Sequence, residues 1–222
     1  MTELLETVEV ETGPQPTAAV LWLHGLGADG HDFEPLVPEL NWPGAPAIRY
    51  VFPHAPVRPV TINGGMPMRA WYDIVSLGSG RDHDQQGISD SVNQAARLLR
   101  RERDRGIAAD RIVVAGFSQG GAIALQLALR FPEKLAGLVA LSTYLLLDHR
   151  LQADAHEANL GLPVFVGHGS QDPMVPCRLG EQVAGRLRGM GYAVEWHSYV
   201  MPHSVCPQEV ADLAAWLRAR LA

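Results

Sequence analysis

The chain has 222 residues, 47% hydrophobic and 19% charged, and its 18 lysines and arginines against 24 aspartates and glutamates give a net charge of −6. This length and composition suit one folded globular domain, which we expect over residues 1–222, and they exclude a disordered or collagen-like chain. The negative charge argues against nucleic acids or anionic membranes as partners.

Apolar runs alternate along the chain with amphipathic runs of helical spacing. In chain order the sequence predicts strands at 18–23 and 48–52, a helix at 90–105, a strand at 112–117, a helix at 120–131, strands at 138–141 and 164–167, a helix at 178–189, a strand at 194–199 and a helix at 207–220. The strands are mostly continuous in Val, Leu and Ile, as is typical of strands buried on both faces of a parallel sheet. The alternation predicts an α/β protein with helices on both faces of a mostly parallel sheet.

A glycine motif follows the first predicted strand. Gly25, Gly27 and Gly30 fit the G-x-G-x-x-G fingerprint of dinucleotide-binding folds, which would indicate an NAD-linked oxidoreductase. That fingerprint needs an acidic residue at the end of the next strand to hold a ribose hydroxyl, and residues 50–54 (YVFPH) contain none. The loop instead suits a backbone N–H that stabilises an oxyanion, and we assign this donor to Leu26.

A candidate nucleophile lies between the predicted strand at 112–117 and the helix that follows. Gly116, Ser118 and Gly120 form G-x-S-x-G, in which the glycines make room for a sharp turn that exposes the serine. The backbone N–H of Gln119, at the start of the helix, is the second predicted oxyanion donor. The alternative is a tight glycine turn that happens to contain a serine.

A serine nucleophile needs a histidine base and usually a carboxylate behind it, and in this fold the chain order is Ser, acid, His. His203 lies on the loop between the last predicted strand and helix, where ligands meet open α/β sheets, so it is the predicted base. Asp172, on the loop after the preceding strand, is the predicted acid, and Asp148 is the alternative. His168 could suggest a metal pair with Asp172, but no further ligand cluster accompanies it, so we expect no metal.

The sequence contains neither a visible secretory signal nor a membrane anchor. The N-terminus lacks a basic and apolar leader, and the longest apolar stretch, residues 135–147, is too short to span a bilayer. Two cysteines, Cys177 and Cys206, cannot make a disulfide framework, and we expect both as reduced thiols. We therefore expect a cytoplasmic protein without stable membrane insertion.

Six motifs in order resemble the phospholipase/carboxylesterase family of α/β-hydrolases, which includes bacterial carboxylesterases and acyl-protein thioesterases. They are HGLGADG at 24–30, PHAP at 53–56, RAWYDI at 69–74, GFSQGGA at 116–122, HGSQDPMVP at 168–176 and the loop around His203. The resemblance implies a hydrolase without a large lid domain, a Ser118–Asp172–His203 triad, and Leu26 and Gln119 as oxyanion donors. It also makes a homodimer plausible.

The chain departs from the family where the acyl site is expected. Residues 142–148 (STYLLLD) resemble a segment that often carries a proline after the leucine, and this proline is missing here. The acyl-pocket candidates are apolar or aromatic residues that would equally suit a core: Met66, Met68, Trp71, Tyr144 and Leu145.

The sequence thus predicts a serine carboxylesterase that hydrolyses esters or thioesters of short- to medium-chain acyl groups through an acyl-enzyme, with no cofactor. One alternative is an acyl-protein thioesterase or lysophospholipase that acts on long acyl chains. Another is a binding protein that keeps the hydrolase fold without turnover.

Overall fold

The computed structural model describes residues 4–75 and 84–222. This part of the chain contains nine β-strands and six α-helices. In chain order they are β1 (Thr7–Glu11), β2 (Ala18–Leu23), α1 (Val37–Leu40), β3 (Ile48–Pro53), β4 (Val57–Val60), β5 (Met66–Arg69), α2 (Gln85–Asp104), β6 (Ile112–Phe117), α3 (Gln119–Arg130), β7 (Gly137–Leu141), α4 (Asp148–Asp154), β8 (Pro163–Gly169), α5 (Cys177–Gly189), β9 (Ala193–Tyr199) and α6 (Pro207–Leu221).

Seven of these strands form the central sheet, in the order β1-β3-β2-β6-β7-β8-β9. The neighbours from β3 to β9 are parallel, and only β1 pairs antiparallel, with β3. Every residue of β2, β6 and β7 is buried, as continuous apolar strands covered on both faces require. The predicted α/β-hydrolase fold with a mostly parallel sheet is confirmed.

Helices cover both faces of the sheet, and the alternation of side chains along β2 separates the two cores. Ala19, Leu21 and Leu23 belong to the core beneath α2, α3, α4 and α5, whereas Val20 and Trp22 belong to the core beneath α1 and α6. No inserted lid domain occurs within residues 4–75 and 84–222. In the same part of the chain, none of the helices combines the length and apolar character needed to cross a membrane.

The sequence missed three strands and two short helices. The half-exposed edge strand β1 and the hairpin of β4 and β5 lack a continuous apolar run, and the hairpin pairs Pro59 with Pro67. Helix α2 begins five residues before the predicted start at residue 90. Its cap explains the difference, because the Asp84 side chain accepts a hydrogen bond from the Gly87 N–H at 2.8 Å.

Candidate active site

The candidate catalytic residues meet at the carboxyl ends of the parallel strands. Ser118 follows β6 directly, Asp172 lies in the loop after β8, and His203 lies in the loop between β9 and α6. The glycine loop after β2 reaches the same edge, because β2 is the sheet neighbour of β6. This is the edge where open α/β sheets bind their ligands.

Ser118 occupies a strained turn that its glycine neighbours make possible. Its φ of 54° and ψ of −119° lie outside the regions that a serine normally adopts. A Cβ atom at Gly116 would lie 2.4 Å from the carbonyl oxygen of Gly120, and one at Gly120 would lie 2.3 Å from that of Leu23. The turn is held by the Thr143 hydroxyl, which donates to the Ser118 carbonyl oxygen at 2.7 Å.

The three predicted triad side chains are in hydrogen-bond contact. His203 Nε2 lies 3.0 Å from Ser118 Oγ, and His203 Nδ1 lies 2.6 Å from Asp172 Oδ2. The backbone N–H groups of Met174 and Val175 both donate to Asp172 Oδ1 at 2.8 Å, and the Asp172 side chain is fully buried. With the Nδ1 proton held by the carboxylate, His203 Nε2 is left as an acceptor for the serine proton.

Two backbone segments with candidate oxyanion donors flank Ser118. Gln119 is the first residue of α3, so its N–H has no acceptor within the helix and lies at the positive end of the helix dipole. On the other side, a Cβ atom at Gly25 would lie 3.6 Å from the Ser118 Cβ, which brings the glycine loop beside the nucleophile. Leu26 is the next residue of that loop.

His168 supports the loop that carries the acid. Its Nε2 lies 2.8 Å from the Val175 carbonyl oxygen and 3.6 Å from Asp172 Oδ2, and burial lowers its pKa. The sequence suggests only a metal-ligand role for His168, and no cluster of potential metal ligands occurs in residues 4–75 and 84–222. A signal for the supporting role is the position of His168 at the end of a buried strand, four residues before the acid.

Four of the five acyl-pocket candidates lie in two places. Met66 and Met68 lie on β5, where Met66 is 62% exposed and Met68 approaches Gly27 of the glycine loop. Tyr144 and Leu145 lie half-buried in the loop after β7, close in sequence to the Thr143 that holds the turn.

Trp71 differs from the other acyl-pocket candidates because it is completely buried. Its indole N–H donates to the His24 carbonyl oxygen at 2.8 Å. The Trp71 side chain therefore offers no surface to an acyl chain in this structure, and the sequence could not distinguish this core position from a pocket position.

Comparisons with known proteins show which family this chain resembles. A family profile described as Phospholipase/Carboxylesterase matches residues 5–221. The acyl-protein thioesterase 1 of Cryptococcus neoformans is 38% identical over 98% of this chain and 98% of its own length. That of Neurospora crassa is 40% identical over 92% of this chain and 87% of its own length. The crystal structure of Zea mays acyl-protein thioesterase 2 is similar with a TM-score of 0.86 and 30% identity, covering 98% of this chain and 99% of that chain.

Proposed function

Since the chain belongs to the phospholipase/carboxylesterase family, it is a carboxylic ester hydrolase, and we propose that it acts through an acyl-enzyme formed on Ser118. The resemblance drawn from the sequence motifs is thereby confirmed. We propose short- to medium-chain esters and thioesters as its substrates. The observation that carries the proposed mechanism is the hydrogen-bonded arrangement of Ser118, His203 and Asp172.

In the proposed mechanism, His203 Nε2 takes the Ser118 hydroxyl proton as Oγ attacks the substrate carbonyl carbon. Asp172 holds the imidazole in the required tautomer and stabilises the imidazolium that forms. The N–H groups of Leu26 and Gln119 bind the negative oxygen of the tetrahedral intermediate.

As the intermediate collapses, His203 gives its proton to the leaving alcohol or thiol, and an acyl-serine ester remains. A water molecule then attacks the acyl-serine ester by the same steps, which releases the carboxylic acid and restores the serine hydroxyl. Both half-reactions use only groups of this chain and water, so the proposal requires no cofactor.

The test is hydrolysis of a p-nitrophenyl ester by the wild type, Ser118→Ala and Ser89→Ala. Loss of a serine nucleophile typically costs about 10⁶ in turnover, so Ser118→Ala should be inactive and should not react with a fluorophosphonate. Ser89 is exposed on α2, and Ser89→Ala should keep the wild-type rate. A Ser118→Ala variant with more than about a hundredth of the wild-type rate would overturn the assignment, and a wild type without turnover would favour the non-catalytic alternative.

A second candidate function is hydrolysis of long-chain acyl groups, and two observations favour it. Relatives at 38% and 40% identity are named acyl-protein thioesterases, and exposed Met66 lies on the strand that also carries Met68 beside the glycine loop. Rates with p-nitrophenyl esters and matched thioesters from two to sixteen carbons would separate the candidates. A maximum at short chains supports the carboxylesterase, and rates that rise toward sixteen carbons support the thioesterase or lysophospholipase.

Three further parts of the proposal concern the whole protein. A single domain over residues 1–222 is supported by one sheet that incorporates strands from Thr7–Glu11 to Ala193–Tyr199. A cytoplasmic location is supported by the free thiols of Cys177 and Cys206. A homodimer rests on the family resemblance alone, and sedimentation of the purified protein would test it.

A further inference from the structure

Buried hydrogen bonds join the two segments that carry the proposed oxyanion donors. The Gln119 side chain accepts from the Trp71 backbone N–H at 2.9 Å and donates to the Tyr72 carbonyl oxygen at 2.8 Å. The Trp71 indole N–H then donates to the carbonyl oxygen of His24 at 2.8 Å. Gln119, Trp71 and His24 are each at most 2% exposed, so water does not compete for these bonds.

The bonds of the His24 ring define its tautomer. The Ala55 backbone N–H donates to His24 Nε2 at 3.0 Å, so Nε2 carries no proton. His24 Nδ1 must then carry the proton and donate it to the Gly25 carbonyl oxygen, 2.7 Å away. Burial lowers the pKa of His24 to about 4, so the neutral ring with this tautomer persists at neutral pH.

This tautomer orients the peptide that carries the proposed donor. Gly25 C=O and Leu26 N–H belong to one planar trans peptide, in which the two groups point in opposite directions. A carbonyl held by His24 therefore directs the Leu26 N–H away from the ring. The following peptide is fixed as well, because the Gly27 N–H donates to the Arg69 carbonyl oxygen at 2.9 Å.

We propose that His24 and Trp71 are positioning residues of the oxyanion hole, with His24 orienting the Leu26 N–H and Trp71 fixing that loop relative to Gln119. The proposal rests on the proposed function, because it presupposes that Leu26 and Gln119 bind the oxyanion. Both residues are buried, with His24 2% and Trp71 0% exposed, so the proposal assigns neither of them a contact with the substrate. Their arrangement gives a role to the RAWYDI segment at 69–74, which the catalytic mechanism itself does not use.

The expected size of the effect follows from the geometry of oxyanion stabilisation. The donors must lie about 2.7–3.1 Å from the developing oxyanion, and loss of one donor costs about 10² to 10³ in turnover. A displaced donor retains part of this effect, so removal of either positioning group should lower kcat by about 10- to 100-fold. The contacts of His203 with Ser118 and Asp172 stay intact, so the loss should come from the displaced donor alone.

The experiment compares four variants of the full-length chain. Trp71→Phe removes the indole N–H and keeps an aromatic ring, and His24→Leu removes both ring nitrogens. His24→Asn places an amide N–H near the position of Nδ1 and should restore part of the lost activity. Trp216→Phe is the matched control, because this buried tryptophan on α6 has no hydrogen-bond partner for its indole N–H in the part of the chain that the structure describes.

Each variant is measured as kcat per active site, with active sites counted after complete fluorophosphonate labelling. We expect a 10- to 100-fold loss in Trp71→Phe and His24→Leu, a smaller loss in His24→Asn, and the wild-type value in Trp216→Phe. The inhibition constant of a trifluoromethyl ketone, whose serine adduct carries an oxyanion, should rise by the same factor as kcat falls. KM should change less than about threefold.

Several outcomes would overturn the proposal. One is an unchanged kcat per active site in Trp71→Phe. Others are a loss confined to the number of active sites and a His24→Asn variant no more active than His24→Leu. Each of these results would assign the residues a structural role only. If His24→Leu does not fold, Trp71→Phe and His24→Asn decide the question. Failure of the proposed function is recognised separately, since Ser118→Ala would then stay active whatever these variants do.

Discussion

Replacement of Asp172 by asparagine tests the acid without changing the shape of the side chain. Two backbone N–H groups, from Met174 and Val175, donate to Oδ1, so the asparagine oxygen must take that position. Its NH₂ group then replaces Oδ2, which lies 2.6 Å from His203 Nδ1. An amide N–H in that place demands an unprotonated Nδ1, so Nε2 carries the proton and cannot accept one from Ser118.

The wrong tautomer should lower kcat by about 10⁴, as it does in the serine protease triad, which is about 5.4 kcal/mol of transition-state stabilisation. Initial rates with p-nitrophenyl butyrate, together with a thermal melt, measure the effect in folded protein. Asp148→Asn is the control, because Asp148 is the alternative acid and its 57% exposed side chain pairs with Arg186. An Asp172→Asn variant that keeps more than about a tenth of the rate, or an equal loss in Asp148→Asn, would refute the reasoning.

Three further predictions concern stability and the turn. Gly120→Ala would place a Cβ atom within 2.4 Å of two backbone carbonyl oxygens, so we expect about 1–3 kcal/mol lower stability and at least a tenfold lower kcat. Gly185→Ala is the control: its new methyl group would meet open space, so stability and kcat should stay unchanged or stability should rise. A Gly120→Ala variant with the stability and kcat of the wild type would contradict the prediction.

Burial, the main cause, raises the pKa of Glu209 from 4.5 to about 8. As the pH rises between these two values, the unfolded chain loses the Glu209 proton while the folded chain keeps it. The free energy of unfolding should therefore fall as the pH rises from about 4.5 to about 8. The urea midpoint should decline less with rising pH in Glu209→Gln than in the wild type. Equal declines in the two proteins would contradict the prediction. Glu102→Ala removes a buried carboxylate that pairs with three arginines and should cost about 3 kcal/mol in urea unfolding, with kcat per active site unchanged.

The parts of the fold that could be predicted from sequence are those in which burial alone dictates residue type. Strands β2 and β6 have the predicted bounds, because a strand covered on both faces is apolar throughout. The edge strand β1 alternates Val8 and Val10 with polar residues, which a search for continuous apolar runs passes over. The β4–β5 hairpin contains Pro59 and Pro67, residues that normally indicate a loop.

In the candidate site, local sequence patterns predict some residues, whereas others depend on contacts between distant parts of the chain. The candidate triad could be predicted because each member follows a strand at the same sheet edge, and the structure brings the three side chains within hydrogen-bond distance. The role of Trp71 could not, because its contacts with His24 and Gln119 cross 47 and 48 residues of chain. No local pattern distinguishes a buried tryptophan that bonds to a distant loop from one that only fills space.

Two of the four non-glycine residues with positive φ in residues 4–75 and 84–222 lie at the edge of the candidate triad. Ser118 and Ser142, with φ of 54° and 45°, follow the neighbouring strands β6 and β7, and a conformation of this kind costs about 1–3 kcal/mol. Each is held by the next strand, since the Ser118 N–H donates to Leu141 and the Ser142 N–H donates to Gly167. Relaxation of Ser118 would break its bond to Leu141 and move α3, whose residues are buried from Gln119 through Leu129. The core thus maintains the strain, and Ser118 Oγ is directed at His203 before any substrate binds, so this part of the orientation required for catalysis is already present in the folded protein.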